Sequence, residues 1–151
     1  MNVYDTLAVL QIRLPDARKP SALYEPFAIA GQLVFLSGHT ARKDGRAWVG
    51  QLGVNMTTEE GQLAARAVAI DMLGTLQAAV VDLNRIARIV KLTALVNSSP
   101  GFTEHHLVAN GASALLGELF GPQGGHARSA FGVAQIPHGA CIEIEMIAEL
   151  A

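Results

Sequence analysis

His126–Glu149, HARSAFGVAQIPHGACIEIEMIAE, is the stretch whose reading decides the fold. Two apolar-rich runs flank Pro137-His138-Gly139, where proline fixes φ and glycine supplies the positive φ of a tight turn, so the stretch is expected to form a β-hairpin. The returning strand alternates strictly: Ile142, Ile144, Met146 and Ala148 fall on one face, and Cys141, Glu143, Glu145 and Ile147 on the other. One face therefore carries two carboxylates. Arg128 opens the outgoing strand with Ala130, Gly132 and Ala134 on its own side, small residues that would leave its guanidinium beside an open shelf.

Upstream, Gly121-Pro122-Gln123-Gly124-Gly125 breaks a helix expected over Phe102 to Phe120, with Val108, Ala112, Leu115 and Leu119 as its inner stripe. That glycine-rich loop lacks the strand-before, helix-after setting of a phosphate cradle. Ile86 to Asn97 is apolar on both faces over much of its length and is expected inside a sheet. Before it, Thr57-x-x-Glu60 is a capping box that opens a long alanine-rich helix to about Asp82, with Leu63, Ala67, Ile70, Leu73 and Leu76 expected on its sheet-facing side. Lys43-Asp44-Gly45-Arg46 is a hairpin-type turn, and Leu33 to Ser37 a buried strand ending at Ser37-Gly38-His39, where glycine lets a ligand approach the backbone. Asp16 to Phe27, with Pro20 and Pro26, is expected to run extended over the surface, and residues 3 to 12 to form a short helix stopped by Leu14-Pro15. The whole reads as one α+β domain over residues 1–151, with residues 1–23 a helix and extended arm and the two main helices on one face of a mixed sheet.

At 151 residues the chain can bury its own core, yet half of it is hydrophobic and only 16% is charged. That balance suggests apolar surface covered by another chain. Apolar runs such as Gln77 to Leu83 and Ile89 to Val96 fall short of the ~20 residues of a membrane span, and the N-terminus lacks a basic, cleavable leader. The single Cys141 cannot form an internal disulfide and sits mid-strand as a small apolar residue, so a cytoplasmic location is expected. A net charge of −2 without a basic cluster does not favour nucleic acid.

Candidate chemistry narrows by elimination. His39, His105, His106, His126 and His138 include no i, i+4 pair, so no metal is expected. No Gly-x-Ser-x-Gly elbow accompanies Ser37 and His39. What remains is Arg128, whose planar fork suits a carboxylate, and the glutamates, which could position a water or move a proton. Against this stands a plain alternative: Arg128 paired with Glu143 or Glu145 on a charged strand face. Tyr24 likewise reads as a half-buried anchor or a site-lining phenol.

The segment ARSAFGVAQIPHGACIEIEMIAE resembles the C-terminal motif of the Rid family of reactive-intermediate (imine/enamine) deaminases, also called the YjgF or endoribonuclease L-PSP family. Tyr24, Ser37-Gly38, the strand RIVKLTALVN and Asn110 extend the resemblance from about Tyr24 onward. The resemblance implies a chorismate-mutase-like fold, a homotrimer with clefts between subunits, and cofactor-free hydrolysis of 2-imino or 2-enamino acids to 2-keto acids and ammonia. It further implies that Arg128 binds the substrate carboxylate, that Glu143 orients the attacking water, and that the Gly38 backbone, Tyr24 and Asn110 line the cleft. Ala130 stands where deaminating members often carry cysteine, and His126 reads either as a cleft residue special to this longer branch or as a loop residue. A metabolite-binding trimer without turnover, or an RNA-cleaving protein, is the alternative the family also suggests. On the hairpin geometry Arg128 would pair near Glu149, about six residues or roughly 20 Å from Glu143. The two are therefore expected to meet only across a subunit interface.

Overall fold

The computed structural model describes residues 1–20 and 22–151. In chain order it contains α1 (Val3–Val9), β1 (Phe27–Ala30), β2 (Leu33–Thr40), β3 (Arg42–Lys43), β4 (Arg46–Ala47), α2 (Thr58–Val80), β5 (Ile86–Asn97), α3 (His105–Phe120), β6 (Ala127–Val133) and β7 (Ile142–Leu150). Ser21, inside the expected extended connection, lies outside the described residues. The main sheet is ordered β1-β2-β7-β5-β6, with α2 and α3 packed together on one face, and is of the expected α+β, chorismate-mutase-like type.

Local signals form as read. Thr57 accepts from the Glu60 backbone while the Glu60 carboxylate reaches back to Thr57, closing the capping box of α2. Val108, Ala112, Leu115 and Leu119 are all buried. Asp44 and Gly45 both take positive φ, the requirement of a two-residue type I′ turn, and join β3 to β4 with Lys43 over the ring of Trp48.

Three expectations are corrected. The Pro137 turn does not close a hairpin: β6 pairs in parallel with β5, and β7 inserts between β2 and β5. The physical reason is α3, which lies between β5 and β6 in sequence and is long enough to return the chain for parallel pairing. The strand at Leu33 does not end at Ser37-Gly38. It continues to Thr40 through a bulge, because the pairing moves from Leu36↔Met146 to His39↔Ile144 and so places one extra residue on β2. Finally, α2 presents Gly61, Ala65, Val68, Met72 and Leu76 to the interior, while Leu63 is 62% exposed. Leu73 and Leu76 are buried as expected, and Gly61 packs against Leu52 and Val108, so the first turns of α2 face α3 and Leu63 is turned out. By length and composition α2 could cross a bilayer, but its inner side is spent on the sheet and α3.

The alternation in β7 settles the two faces of the sheet. Ile142, Ile144, Met146 and Ala148 are buried under the helices. The opposite face carries no helix and presents Glu143, Glu145 and Ile147 together with Phe35, Leu95 and Phe131 from neighbouring strands. This open face mixes those apolar side chains with Lys91 and Thr93 beside Glu145.

Candidate functional site

The bulge in β2 builds the first half of the site. It brings the Gly38 backbone against Glu143, so that a Cβ on residue 38 would lie 2.5 Å from Glu143 Oε1 and 3.1 Å from Cδ. Glycine is therefore required for this approach. Behind it, His39 is buried with Nδ1 2.7 Å from the Ser37 carbonyl and Nε2 2.8 Å from Thr75 Oγ1. The carbonyl can only accept, so Nδ1 carries the proton and Nε2 accepts from the Thr75 hydroxyl. Burial holds the His39 pKa below its ordinary value, which keeps the ring neutral and the bulge pinned to α2.

Ser37, Gly38, Tyr24 and Glu143 line one cavity of about 580 Å3. Glu143 is half-buried there, and no ion pair reaches it among the described residues. Burial first, and the neighbouring Glu145 second, push its carboxyl pKa upward. Tyr24 is 49% exposed and lines the cavity, which favours the site-lining reading over the buried anchor. Over the same space stands His138, held at φ 61° in the Pro137 turn, a left-handed conformation a non-glycine residue adopts only when its surroundings impose it.

Several lining residues escape sequence reading. Arg18 comes from the arm, forms an ion pair with Asp71 at 3.3 Å and donates to the Thr40 carbonyl. Lys19 and Arg42 join it around the cavity. These cations are scattered between an irregular arm and a two-residue strand, so no linear pattern announces them. A basic cluster thus exists in space where none exists in sequence.

Arg128 builds a second and separate place. Its side chain leaves the helix-covered face of β6, with Nη1 donating to Asn110 Oδ1 at 2.8 Å and to Ser113 Oγ at 3.0 Å, and Nη2 to the His106 carbonyl at 3.0 Å. His106, Asn110 and Ser113 lie four and three residues apart on α3, which places all three acceptors on one side of the helix. His126 extends the chain: Nδ1 lies 2.6 Å from the Gly124 carbonyl and Nε2 2.9 Å from Ser113 Oγ. One polarity satisfies every partner. Arg128 donates to Ser113, Ser113 donates to His126, and His126 donates to the Gly124 carbonyl. Arg128 and His126 line a cavity of about 420 Å3 against the glycine-rich loop. Two of the five guanidinium N–H groups remain without a partner among the described residues.

Arg128 therefore pairs with neither Glu143 nor Glu145, and it shares no cavity with Glu143. The separation does not arise as the hairpin implied. Arg128 lies beside Leu92, which pairs with Met146 and not with Glu149. Glu143 is then two strand spacings across and three residues along, about 10 Å in each direction, and it leaves the opposite face of the sheet. Ala130 packs against the core and lines neither cavity. Cys141 is fully buried, and burial pushes its thiol up to about 11, in keeping with an inert apolar role.

The family described as "YjgF/chorismate_mutase-like, putative endoribonuclease" matches residues 5–150. The chain belongs to the Rid/YjgF family. Protein TCP17 of Trypanosoma cruzi is 47% identical over 143 residues, which cover 93% of this chain and 89% of TCP17. A crystal structure of Atu1372 from Agrobacterium tumefaciens, a protein of unknown function, superposes with a TM-score of 0.91 at 38% identity, covering 99% of this chain and 92% of that one. A "putative endoribonuclease" from Shewanella oneidensis gives a TM-score of 0.95 at 30% identity, covering 99% and 100%. At 99% coverage, likeness to these two structures extends through α1 and the arm that carries Arg18, beyond the stretch from Tyr24 onward over which the family resemblance was read.

Proposed function

We propose that this protein hydrolyses small 2-imino or 2-enamino carboxylic acids to 2-keto acids and ammonia, without a cofactor, in a homotrimer whose neighbouring subunits complete the site. The observation that carries the reading is Glu143: a half-buried carboxylate with no ion-pair partner among the described residues, its proton affinity raised, lining a cavity together with the Gly38 backbone. In this reading Glu143 takes a proton from water as the water oxygen bonds to the imine carbon. Attack on the protonated imine gives a neutral carbinolamine; the proton Glu143 carried passes to its nitrogen, the C–N bond breaks with its electron pair leaving on ammonia, and the hydroxyl proton returns to the Glu143 carboxylate, leaving C=O where C=N had been. Arg128 of one subunit grips the substrate carboxylate in the cleft where Glu143 of the next holds the water. Support for the shared cleft comes from the opposite-face placement of the two residues and from the open sheet face with its apolar Phe35, Leu95 and Phe131, which a second copy would cover.

The test is ammonia release from freshly generated 2-imino acids, read beside solution mass. Wild type is expected to accelerate release as a trimer, and Glu143→Gln to lose roughly 100- to 10,000-fold while remaining trimeric. Absence of acceleration on any imino acid defeats the reading. Ala130, at a position where deaminating relatives often carry cysteine, favours a second reading, a trimer that binds carboxylates without turnover. It takes the lead if 2-keto acids bind and no ammonia is released. RNA cleavage, named in the family description, is checked by adding a labelled RNA to the same preparations.

A further inference from the structure

The cavity around Glu143 holds more positive charge than one substrate carboxylate needs. Three permanently cationic side chains, Arg18, Lys19 and Arg42, line it against the single carboxylate of Glu143. Asp71 offsets part of the Arg18 charge but stands behind it and outside the cavity lining. Arg18 spends one nitrogen, Nη2, on Asp71 and the Thr40 carbonyl, which leaves Nη1 and Nε without partners among the described residues. Arg42 spends Nη2 on the Gly45 carbonyl and likewise keeps donors in reserve. These contacts fix both guanidinium groups without consuming them.

Their place relative to Glu143 follows from the register. Thr40, whose carbonyl receives Arg18, is the cross-strand partner of Glu143, and such partners stand about 5 Å apart. Arg18 is thus anchored on the strand next to Glu143, and Lys19 and Arg42 line the same cavity, while no ion pair joins any of the three to Glu143 among the described residues. Arg128, the grip assigned to the α-carboxylate, lines the other cavity, and with three of its five N–H groups spent on α3 it keeps two donors, enough for one carboxylate. A second anionic group on the substrate is what would use Arg18, Lys19 and Arg42.

We infer that Arg18, Lys19 and Arg42 form a subsite for the distal carboxylate of a dicarboxylic 2-imino acid, so that the preferred substrates are the four- and five-carbon imino diacids and not those with apolar side chains. This rests on the imine-hydrolysis reading of the same cavity. The upstream reaction it requires is a two-electron oxidation of the Cα–N bond of an acidic amino acid, with the hydride passing to a flavin or nicotinamide acceptor.

The experiment compares kcat/KM for 2-iminosuccinate and 2-iminoglutarate with that for 2-iminobutyrate and the imine of leucine, each generated in place by an amino-acid oxidase with catalase present. The diacids are expected to be favoured at least tenfold, about what one charge-assisted hydrogen bond supplies. Lys19→Glu and Arg42→Gln, both of which keep Arg18 and Asp71 themselves, are expected to bring that ratio close to one, and added salt to shrink it. A wild-type ratio at or below one, or a ratio that neither variant moves, overturns the subsite. If no imine is hydrolysed at all, the hydrolytic reading fails by itself, and calorimetry with 2-oxoglutarate against 2-oxobutyrate decides the subsite: tighter diacid binding that is lost in Lys19→Glu supports it, and equal binding overturns it.

Discussion

Arg128 and Glu143 are treated oppositely by the fold. Arg128 stands on the helix-covered face of the sheet, where Asn110, Ser113 and the His106 carbonyl take its protons and His126 locks Ser113 in turn. Its cost of ordering is met inside one subunit, and it presents two remaining donors in a fixed direction. Glu143 stands on the open face with burial but no ion-pair partner, and its ionised form is the less favoured for it. A satisfied charge suits binding, because it must not move. An unsatisfied one suits proton transfer, because its two protonation states lie closer in free energy near neutral pH.

That contrast can be broken from either side. The largest effect is expected at Gly38→Ala, where the new methyl meets the mobile end of Glu143 and pushes the carboxylate out of place. We expect kcat/KM to fall roughly 100-fold, as misplacement by about 1 Å does, with a stability loss of only about 1 kcal/mol. Chemical denaturation alongside ammonia release checks both, and a large stability loss with intact turnover would refute the placement of Glu143. A smaller effect is expected at Ser113→Ala, which removes the hydroxyl between Arg128 and His126. It should cost about 1 kcal/mol and raise KM more than it lowers kcat, because the grip loosens while the proton-transfer group is untouched.

The smallest effect is also the most direct comparison. Burial raises the folded-state pKa of Glu143 above its unfolded value, so the folded protein holds the proton more tightly, and the contribution of Glu143 to stability is full below the unfolded pKa near 4.5 and lost as pH climbs through the raised value. Glu143→Gln should therefore be stabilised relative to wild type at neutral pH, with the difference vanishing toward pH 4. His39, whose folded pKa is lowered, works in the reverse sense: its contribution is complete above about 6.5 and is lost as pH falls through that range toward the folded value. Denaturation midpoints of both proteins from pH 4 to 8 separate the two, since only the Glu143 term differs between them. A difference that grows toward acid pH would contradict the environment assigned to Glu143.

Much of this was legible before any coordinates. Strict alternation in Ile142–Leu150 assigned each side chain of the strand to its face, the Thr57–Glu60 box placed the start of α2, the Asp44-Gly45 pair named its turn, and the stripe from Val108 to Leu119 was the buried one. Tyr24, Ser37, Gly38 and Glu143 were singled out and do line one cavity. The strand faces, the cap, the turn and the helical stripe follow local rules, in which the deciding atoms lie within a few residues of one another, whereas the cavity residues were grouped by the family resemblance. Which strands are neighbours was not legible. Every strand offers the same N–H and C=O groups, so alternation that assigns faces carries nothing about who accepts the bonds, and only the packing of α3 across the sheet set β6 beside β5 and sent β7 between β2 and β5. The same holds for the charges around the site. Arg18, Lys19 and Arg42 are unremarkable in sequence, and only the tertiary path of the arm, with Arg18 on the Thr40 carbonyl, brings them to line one cavity with Glu143.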